Sequence, residues 1–94
     1  VAVALSVAYR LTAPYPNPVR GQARLGVLVA RSQQVRVEVF DALGRRVAVL
    51  FEGALESGSS RSLSWDSGRV PSGLYVVRAV GETFTAARTL TVVQ

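Results

Sequence analysis

Residues 35–51 read VRVEVFDALGRRVAVLF, and this stretch predicts two strands joined by a tight turn. Three valines in its first half alternate with polar or aromatic residues, which is the period-2 pattern of a strand with one buried face. Asp41 suits the first position of a turn, and Gly44 can adopt the positive φ that closes a hairpin. Residues 46–51 then return as the partner strand. The stretch therefore indicates an antiparallel β-hairpin.

The same strand and turn signals recur along the rest of the chain, and no helical period of useful length interrupts them. The predicted strands lie at residues 3–11, 22–29, 35–40, 46–51, 61–65, 74–80 and 83–93. About seven short strands separated by turns every 8 to 12 residues are typical of an antiparallel, immunoglobulin-like β-sandwich. We expect residues 9–94 to form this single domain, with residues 1–8 as a linker or a frayed first strand.

The chain contains no cysteine, so no disulfide can hold the two sheets together. Two apolar sheet faces must do so instead, and large apolar residues in the inward phase of each strand are the candidates. The predicted core consists of Leu25, Val27, Val37, Val39, Val47, Val49, Leu63, Trp65, Val77, Leu90 and Val92. Phe84 shares its phase with aliphatic neighbours and is also expected in the core, whereas Phe40 and Tyr75 fit either face.

The composition excludes several classes of protein. Ninety-four residues are one domain's worth of chain, and 49% apolar against 18% charged residues excludes intrinsic disorder. The longest apolar runs, residues 1–5 and 47–51, are far shorter than the roughly 20 residues of a membrane-spanning helix. The chain also lacks methionine, which predicts that it is a piece of a longer protein.

The titratable residues argue against catalysis and against nucleic-acid binding. Without His or Cys there is no imidazole base, thiol nucleophile or zinc-finger cluster. The carboxylates are expected to be solvated, including Glu38 on the outward phase of its strand, so we predict no enzyme, no metal and no cofactor.

All 11 basic residues are arginines, giving a net charge of +5, but they are scattered singly apart from Arg45-Arg46. A soluble sheet surface explains them better than a nucleic-acid interface.

Two local features allow more than one interpretation. Arg88 shares the inward phase of the last strand, so either its stem extends along the sheet edge or a bulge near Ala86-Ala87 shifts the register. Tyr15-Pro16-Asn17-Pro18 cannot be a central strand, because its two prolines lack backbone N–H donors. This segment is either a rigid lead-in with Tyr15 packed as a lid on the core, or a docking element for a partner.

Taken together, five motifs resemble a known family. In chain order they are YPNPV at 15–19, VEVFDALGRRV at 37–47, LSWD at 63–66, PSGLYVVR at 71–78 and LTVV at 90–93. This order resembles the type A C-terminal sorting domain of the type IX (Por) secretion system, and it is close to the immunoglobulin-like module of flagellar hook-capping proteins. The family-motif residues are Tyr15, Pro16, Asn17, Pro18, Asp41, Gly44, Arg45, Pro71, Ser72, Gly73, Leu74 and Tyr75.

The resemblance implies a non-catalytic module at the C-terminus of a larger protein that is secreted or displayed on the cell surface after passing through the periplasm. Its implied partners are the outer-membrane type IX translocon, a sortase-like peptidase that removes the domain and attaches the cargo to the surface, and the cargo domain on its N-terminal side. The alternative is a non-catalytic immunoglobulin-like spacer, or a carbohydrate-contacting module, appended to a secreted enzyme.

Overall fold

A computed structural model describes residues 9–94, so the linker or frayed strand predicted at residues 1–8 lies outside the described residues. Strands and their turns make up nearly all of this part of the chain, with one short 3-10 helix at Ser67–Arg69. The strands are β1 (Tyr9–Leu11), β2 (Gln22–Val29), β3 (Gln33–Asp41), β4 (Arg46–Leu55), β5 (Ser60–Asp66), β6 (Gly73–Gly81) and β7 (Thr85–Val92).

The seven strands described between residues 9 and 94 form two antiparallel sheets. The first has the order β1-β2-β5, and the second has the order β4-β3-β6-β7. One cluster of buried side chains contains residues from both sheets. Because the sequence has no cysteine, this cluster is what holds the sheets together. The prediction of an all-β, immunoglobulin-like sandwich without a disulfide is confirmed.

Nine of the eleven predicted core residues are buried. They are Leu25, Val27, Val37, Val39, Leu63, Trp65, Val77, Leu90 and Val92. Tyr75, which the sequence left undecided, is buried as well and packs against Trp65 with the ring centroids 5.5 Å apart. Its hydroxyl donates a 2.7 Å hydrogen bond to the carbonyl of Pro71, four residues upstream. The same arrangement at the start of this strand is known as the tyrosine corner of immunoglobulin-like sandwiches.

The predicted burial of Val47 and Val49 is wrong, because β4 is not a regular strand. Its register against β3 shifts twice, so that Leu50 and Val47 are the extra residues of two β-bulges. A one-residue shift sends the following side chains to the opposite face of the sheet. Val49 therefore lies opposite Glu38 on the outer face, and the small side chain of Ala48 takes the inward position.

The predicted solvation of Glu38 is also wrong. The residue lies on the outer face of the central strand β3, between Val49 of β4 and Arg78 of β6, and the neighbouring side chains leave it buried. Arg46 donates from Nη1 to its carboxylate at 3.0 Å. Nearby on the same face, half-buried Phe40 lies under the guanidinium of Arg78, 5.1 Å from the ring centroid.

Contacts between β1 and the β7 side of the second sheet close one flank of the sandwich. The register of β6 and β7 runs without a shift, so Arg88 keeps its inward phase, and its Nε donates to the carbonyl of Leu11 at 2.9 Å. This supports the first interpretation of Arg88, in which its stem follows the sheet edge. Phe84 is half-buried against the core and stacks on Tyr9, with the ring centroids 4.7 Å apart.

Candidate functional site

A short network of hydrogen bonds centred on Asp41 fixes the β3–β4 hairpin. Its Oδ1 accepts from the backbone N–H groups of Leu43 and Arg45, each at 2.9 Å, and its Oδ2 accepts from Arg45 Nε at 2.8 Å. Gly44 has a φ of +83°, as the turn prediction requires. The carboxylate is held in its charged form chiefly by the backbone N–H of Arg45, which lowers the pKa of Asp41 below its ordinary value. The hairpin is therefore rigid at its base, and Leu43 projects from its tip.

The segment that connects β5 to β6 lies beside this hairpin. Asp66 caps the 3-10 helix by accepting from Gly68 N–H at 2.9 Å, and Tyr75 binds the carbonyl of Pro71 as described above. Gln94 holds the segment from the other side, because its backbone N–H donates to Ser72 Oγ and its side-chain amide to Val70 O. Residues 70–75 are thus held in one conformation by bonds at both ends.

Between these two walls lies a shallow depression of about 470 Å³, which we call the hairpin-end concavity. It is lined by Asp41, Ala42, Leu43, Arg45, Arg46 and Val47 from the hairpin, and by residues 70–75 from the connecting segment. The structure therefore brings together seven family-motif residues that are distant in the sequence: Asp41, Arg45, Pro71, Ser72, Gly73, Leu74 and Tyr75. Gly44 belongs to the same hairpin and supplies its turn.

Tyr15, Pro16, Asn17 and Pro18 do not line this concavity, since they lie along the edges of the two sheets. Tyr15 exchanges two 2.8 Å backbone hydrogen bonds with Arg24 of β2. Asn17 then reaches the second sheet, where its Oδ1 accepts from Thr91 N–H at 3.0 Å and Val19 continues the pairing with β7. The segment is a lead-in that crosses between sheets, but the interpretation in which Tyr15 packs as a lid on the core is wrong, because its side chain is exposed. The interpretation of the segment as a docking element stays a prediction.

Two arginines that line the hairpin-end concavity are each oriented by a mostly covered carboxylate. Asp41 pairs with Arg45 at 2.8 Å, and Glu38 pairs with Arg46 at 3.0 Å. Both arginine side chains are more than half exposed, whereas both carboxylates are mostly covered. Each ion pair consequently orients a guanidinium group while leaving most of its N–H donors accessible at the surface.

Two apolar side chains of this site, Leu43 and Val47, were missed as functional candidates by the sequence analysis, whereas Leu74 is one of the family-motif residues. Leu43, Val47 and Leu74 line the concavity and are exposed. Leu43 gave a sequence signal, because a leucine at the tip of a tight turn cannot reach the core of the sandwich. Val47 gave none, since its exposure depends on the bulge in β4.

Two classes of site were sought in the described part of the chain. Residues 9–94 hold no group of three or more His, Cys, Asp or Glu side chains placed to bind a metal ion. Within the same residues, no helix has the length and hydrophobicity needed to span a bilayer.

Comparisons with known proteins identify a family and two similar folds. The model of the family described as the secretion system C-terminal sorting domain matches residues 13–93. A comparison with curated protein sequences gave no significant match. Among solved structures, the chain is similar to the dimeric latent PorU from Porphyromonas gingivalis, with a TM-score of 0.69 and 23% identity over 97% of this chain and 10% of PorU.

A second solved structure, the β-glucosidase EmGH1 from Erythrobacter marinus, is less similar. It gives a TM-score of 0.51 and 16% identity over 90% of this chain and 15% of the enzyme. At these identities both structures show a shared fold alone. The chain spans about a tenth of the PorU chain and about a seventh of the β-glucosidase chain that it matches.

Proposed function

The chain belongs to the family of secretion system C-terminal sorting domains, and we propose from this membership that it directs an attached cargo protein through the outer membrane by the type IX secretion system. The observation that carries the proposal is the family match, which extends from residue 13 to residue 93. A sandwich with its own core can follow any cargo in the sequence without sharing that cargo's core. Such a module acts by being recognised, through surface that its folding does not use.

The arrangement of the two ends supports this role. Tyr9, where the described chain begins, pairs with Val29 at the end of β2. Gln22, at the start of β2, pairs with Asp66, which caps the 3-10 helix next to the hairpin-end concavity. The eight residues of β2 span about 23 Å, so Tyr9, on the side of the chain that leads to the cargo, lies well away from that concavity. The concavity stays open to a partner while cargo is attached.

The proposal has three further parts, which follow from the type IX assignment. The domain, residues 9–94, lies at the C-terminus of a larger protein that crosses the periplasm before it reaches the cell surface or the medium. Its partners are the outer-membrane translocon and a sortase-like peptidase, which removes the domain and attaches the cargo to the surface. The twelve family-motif residues serve this recognition either directly or by building the recognised surface, and the domain itself catalyses no reaction.

The experiment is a fusion of the 94-residue chain behind a reporter that carries a signal peptide, expressed in a host with a type IX system. We expect the reporter at the cell surface or in the medium, with the domain removed from the surface-attached form. The unfused reporter and a host without the translocon are the controls, and in both the reporter should remain in the periplasm. A folded fusion that remains in the periplasm of the complete host would instead favour an immunoglobulin-like spacer.

A further inference from the structure

We propose that the hairpin-end concavity is a docking surface for a segment of a partner protein that presents an apolar side chain flanked by carboxylates. The inference deepens the proposed function. It rests on that function in one respect only, which is that the partner belongs to the secretion apparatus. The chemistry of the occupant is argued from the surface itself, in terms of its apolar centre, its charged rim and its rigidity.

The apolar centre is formed by side chains that the fold does not require. Six large apolar side chains are exposed in the described part of the chain: Tyr15, Leu43, Val47, Val49, Leu74 and Val93. Three of them line this one concavity, with exposures of 79% for Leu43, 50% for Leu74 and 39% for Val47. None of the three belongs to the core cluster or to the half-buried side chains that pack against it. Clustered exposed apolar side chains with polar neighbours mark protein–protein contacts.

The charged rim selects an acidic partner. Arg45 and Arg46 flank the apolar centre, and the carboxylates that orient them lie beneath the surface. A partner therefore meets guanidinium N–H donors in a fixed direction, which suits bidentate contact with a carboxylate. Aspartate or glutamate beside an apolar residue would pair with these donors, whereas lysine or arginine offers no acceptor for them.

Rigidity makes this surface a better docking site than the other exposed apolar positions. Asp41 fixes one wall through three hydrogen bonds, and Tyr75 and Gln94 fix the other. A surface that is already ordered loses little conformational entropy when a partner binds. Val49 provides the contrast, because it is 45% exposed on the flat outer face and lies outside the concavity.

The chemistry can be tested directly with the 94-residue chain and synthetic peptides. Two blocked pentapeptides, DVLVE and KVLVK, present the same apolar centre with opposite flanking charges. We expect millimolar DVLVE to shift the NMR amide signals of Leu43, Val47 and Leu74, and KVLVK to bind at least about tenfold more weakly. Equal binding of both peptides, or no shift with DVLVE at these residues, would overturn the proposal.

Two controls exclude the other occupants of an exposed apolar surface. If the same signals shift when the chain is concentrated alone, the surface belongs to a contact between two copies of the chain. If they broaden with phosphatidylglycerol vesicles and DVLVE does not compete, the surface belongs to a membrane. Either result contradicts a docking surface for an acidic protein segment.

The secretion assay then connects the surface to sorting. Leu43→Ser and Leu74→Ser should each lower export of the reporter fusion about tenfold, whereas Val49→Ser, at a position outside the concavity that is about as exposed as Leu74, should leave export unchanged. Melting curves must show that all three variants are folded. If the unsubstituted fusion is not exported, the proposed function fails. If it is exported and the folded Leu43→Ser and Leu74→Ser variants are exported equally well, the docking surface alone is refuted.

Discussion

At the scale of single residues, Asp41 contributes most to the hairpin end, because one carboxylate satisfies two backbone donors and one guanidinium group. These bonds need the charged form, which is why they lower the pKa of Asp41 below its ordinary value. A carboxylate with a lowered folded-state pKa adds stability above its unfolded pKa, about 3.9, and loses that contribution as the pH falls through the folded-state value.

We therefore predict that Asp41→Asn destabilises the domain at neutral pH and does so less in acid. The variant lacks the titrating group, so its free energy of unfolding should lie below that of the parent at pH 7 and approach it below about pH 4. Denaturant unfolding of both chains across this range provides the measurement. Parallel curves for the two proteins would show that Asp41 does not couple the hairpin to protonation.

Gly44 is the second residue on which the hairpin depends, through its backbone conformation. Its φ of +83° is strained for a residue with a β-branched side chain. Gly44→Val should lower the free energy of unfolding by about 1 kcal/mol or more, measured by denaturant titration. The neighbouring change Leu43→Ala is the matched control, and it should stay within about 0.5 kcal/mol because Leu43 is exposed. Similar effects at the two positions would contradict this account of the turn.

At the scale of elements, strand β4 shows where period-2 alternation stops being informative. The alternation in β3 predicted the burial of Val37 and Val39 correctly, because that strand is regular in its inward phase. In β4 the phase is reversed between the two bulges, and nothing in the run of small and apolar residues from Val47 to Leu50 distinguishes a bulged strand from a regular one. Val49 consequently lies on the outer face, although the alternation in the sequence predicts the inner face.

A matched pair of substitutions tests the reversed phase of β4. Val→Thr keeps the shape of the side chain and replaces a methyl group with a hydroxyl, which is costly only where no water or partner is available. Val39→Thr in the core should cost about 1–3 kcal/mol, whereas Val49→Thr on the outer face should stay within about 0.5 kcal/mol. The free energies of unfolding measure both, and an equal cost would mean that Val49 faces the core after all.

Part of the candidate site was predictable from the sequence, namely the part that depends on local backbone chemistry and not on the pairing of distant strands. The Asp41–Gly44 turn follows from local backbone chemistry, so the sequence was sufficient to predict it. The meeting of residues 41–47 with residues 70–75 depends on the pairing of β3 with both β4 and β6, which local sequence does not encode. The predicted burial of Tyr15 was wrong for a similar reason. Its backbone pairs with Arg24 of β2, and this pairing leaves its ring exposed.

At the scale of the whole molecule, the first and the last described residues lie at different distances from the concavity. Tyr9, the first described residue, lies beside Val29, at the far end of β2 from the concavity. Gln94, in contrast, is bonded to Ser72 and Val70 within the wall of the concavity itself. A protein attached through the N-terminal side leaves the docking surface free, and one attached directly after Gln94 lies against it.

We therefore predict that the position of the cargo decides export. A reporter fused before residue 1 should be exported, and the same reporter fused directly after Gln94 should be retained although the domain is folded. Inserting a flexible Gly/Ser linker of about 20 residues after Gln94 gives a mean span of about 25 Å, which moves the reporter clear of the concavity. Partial recovery of export with this linker would identify steric cover as the cause. Retention with the linker would show that export depends on the hydrogen bonds of Gln94 or on a free chain end beyond it. Full export of the direct fusion would contradict recognition at this end of the sandwich.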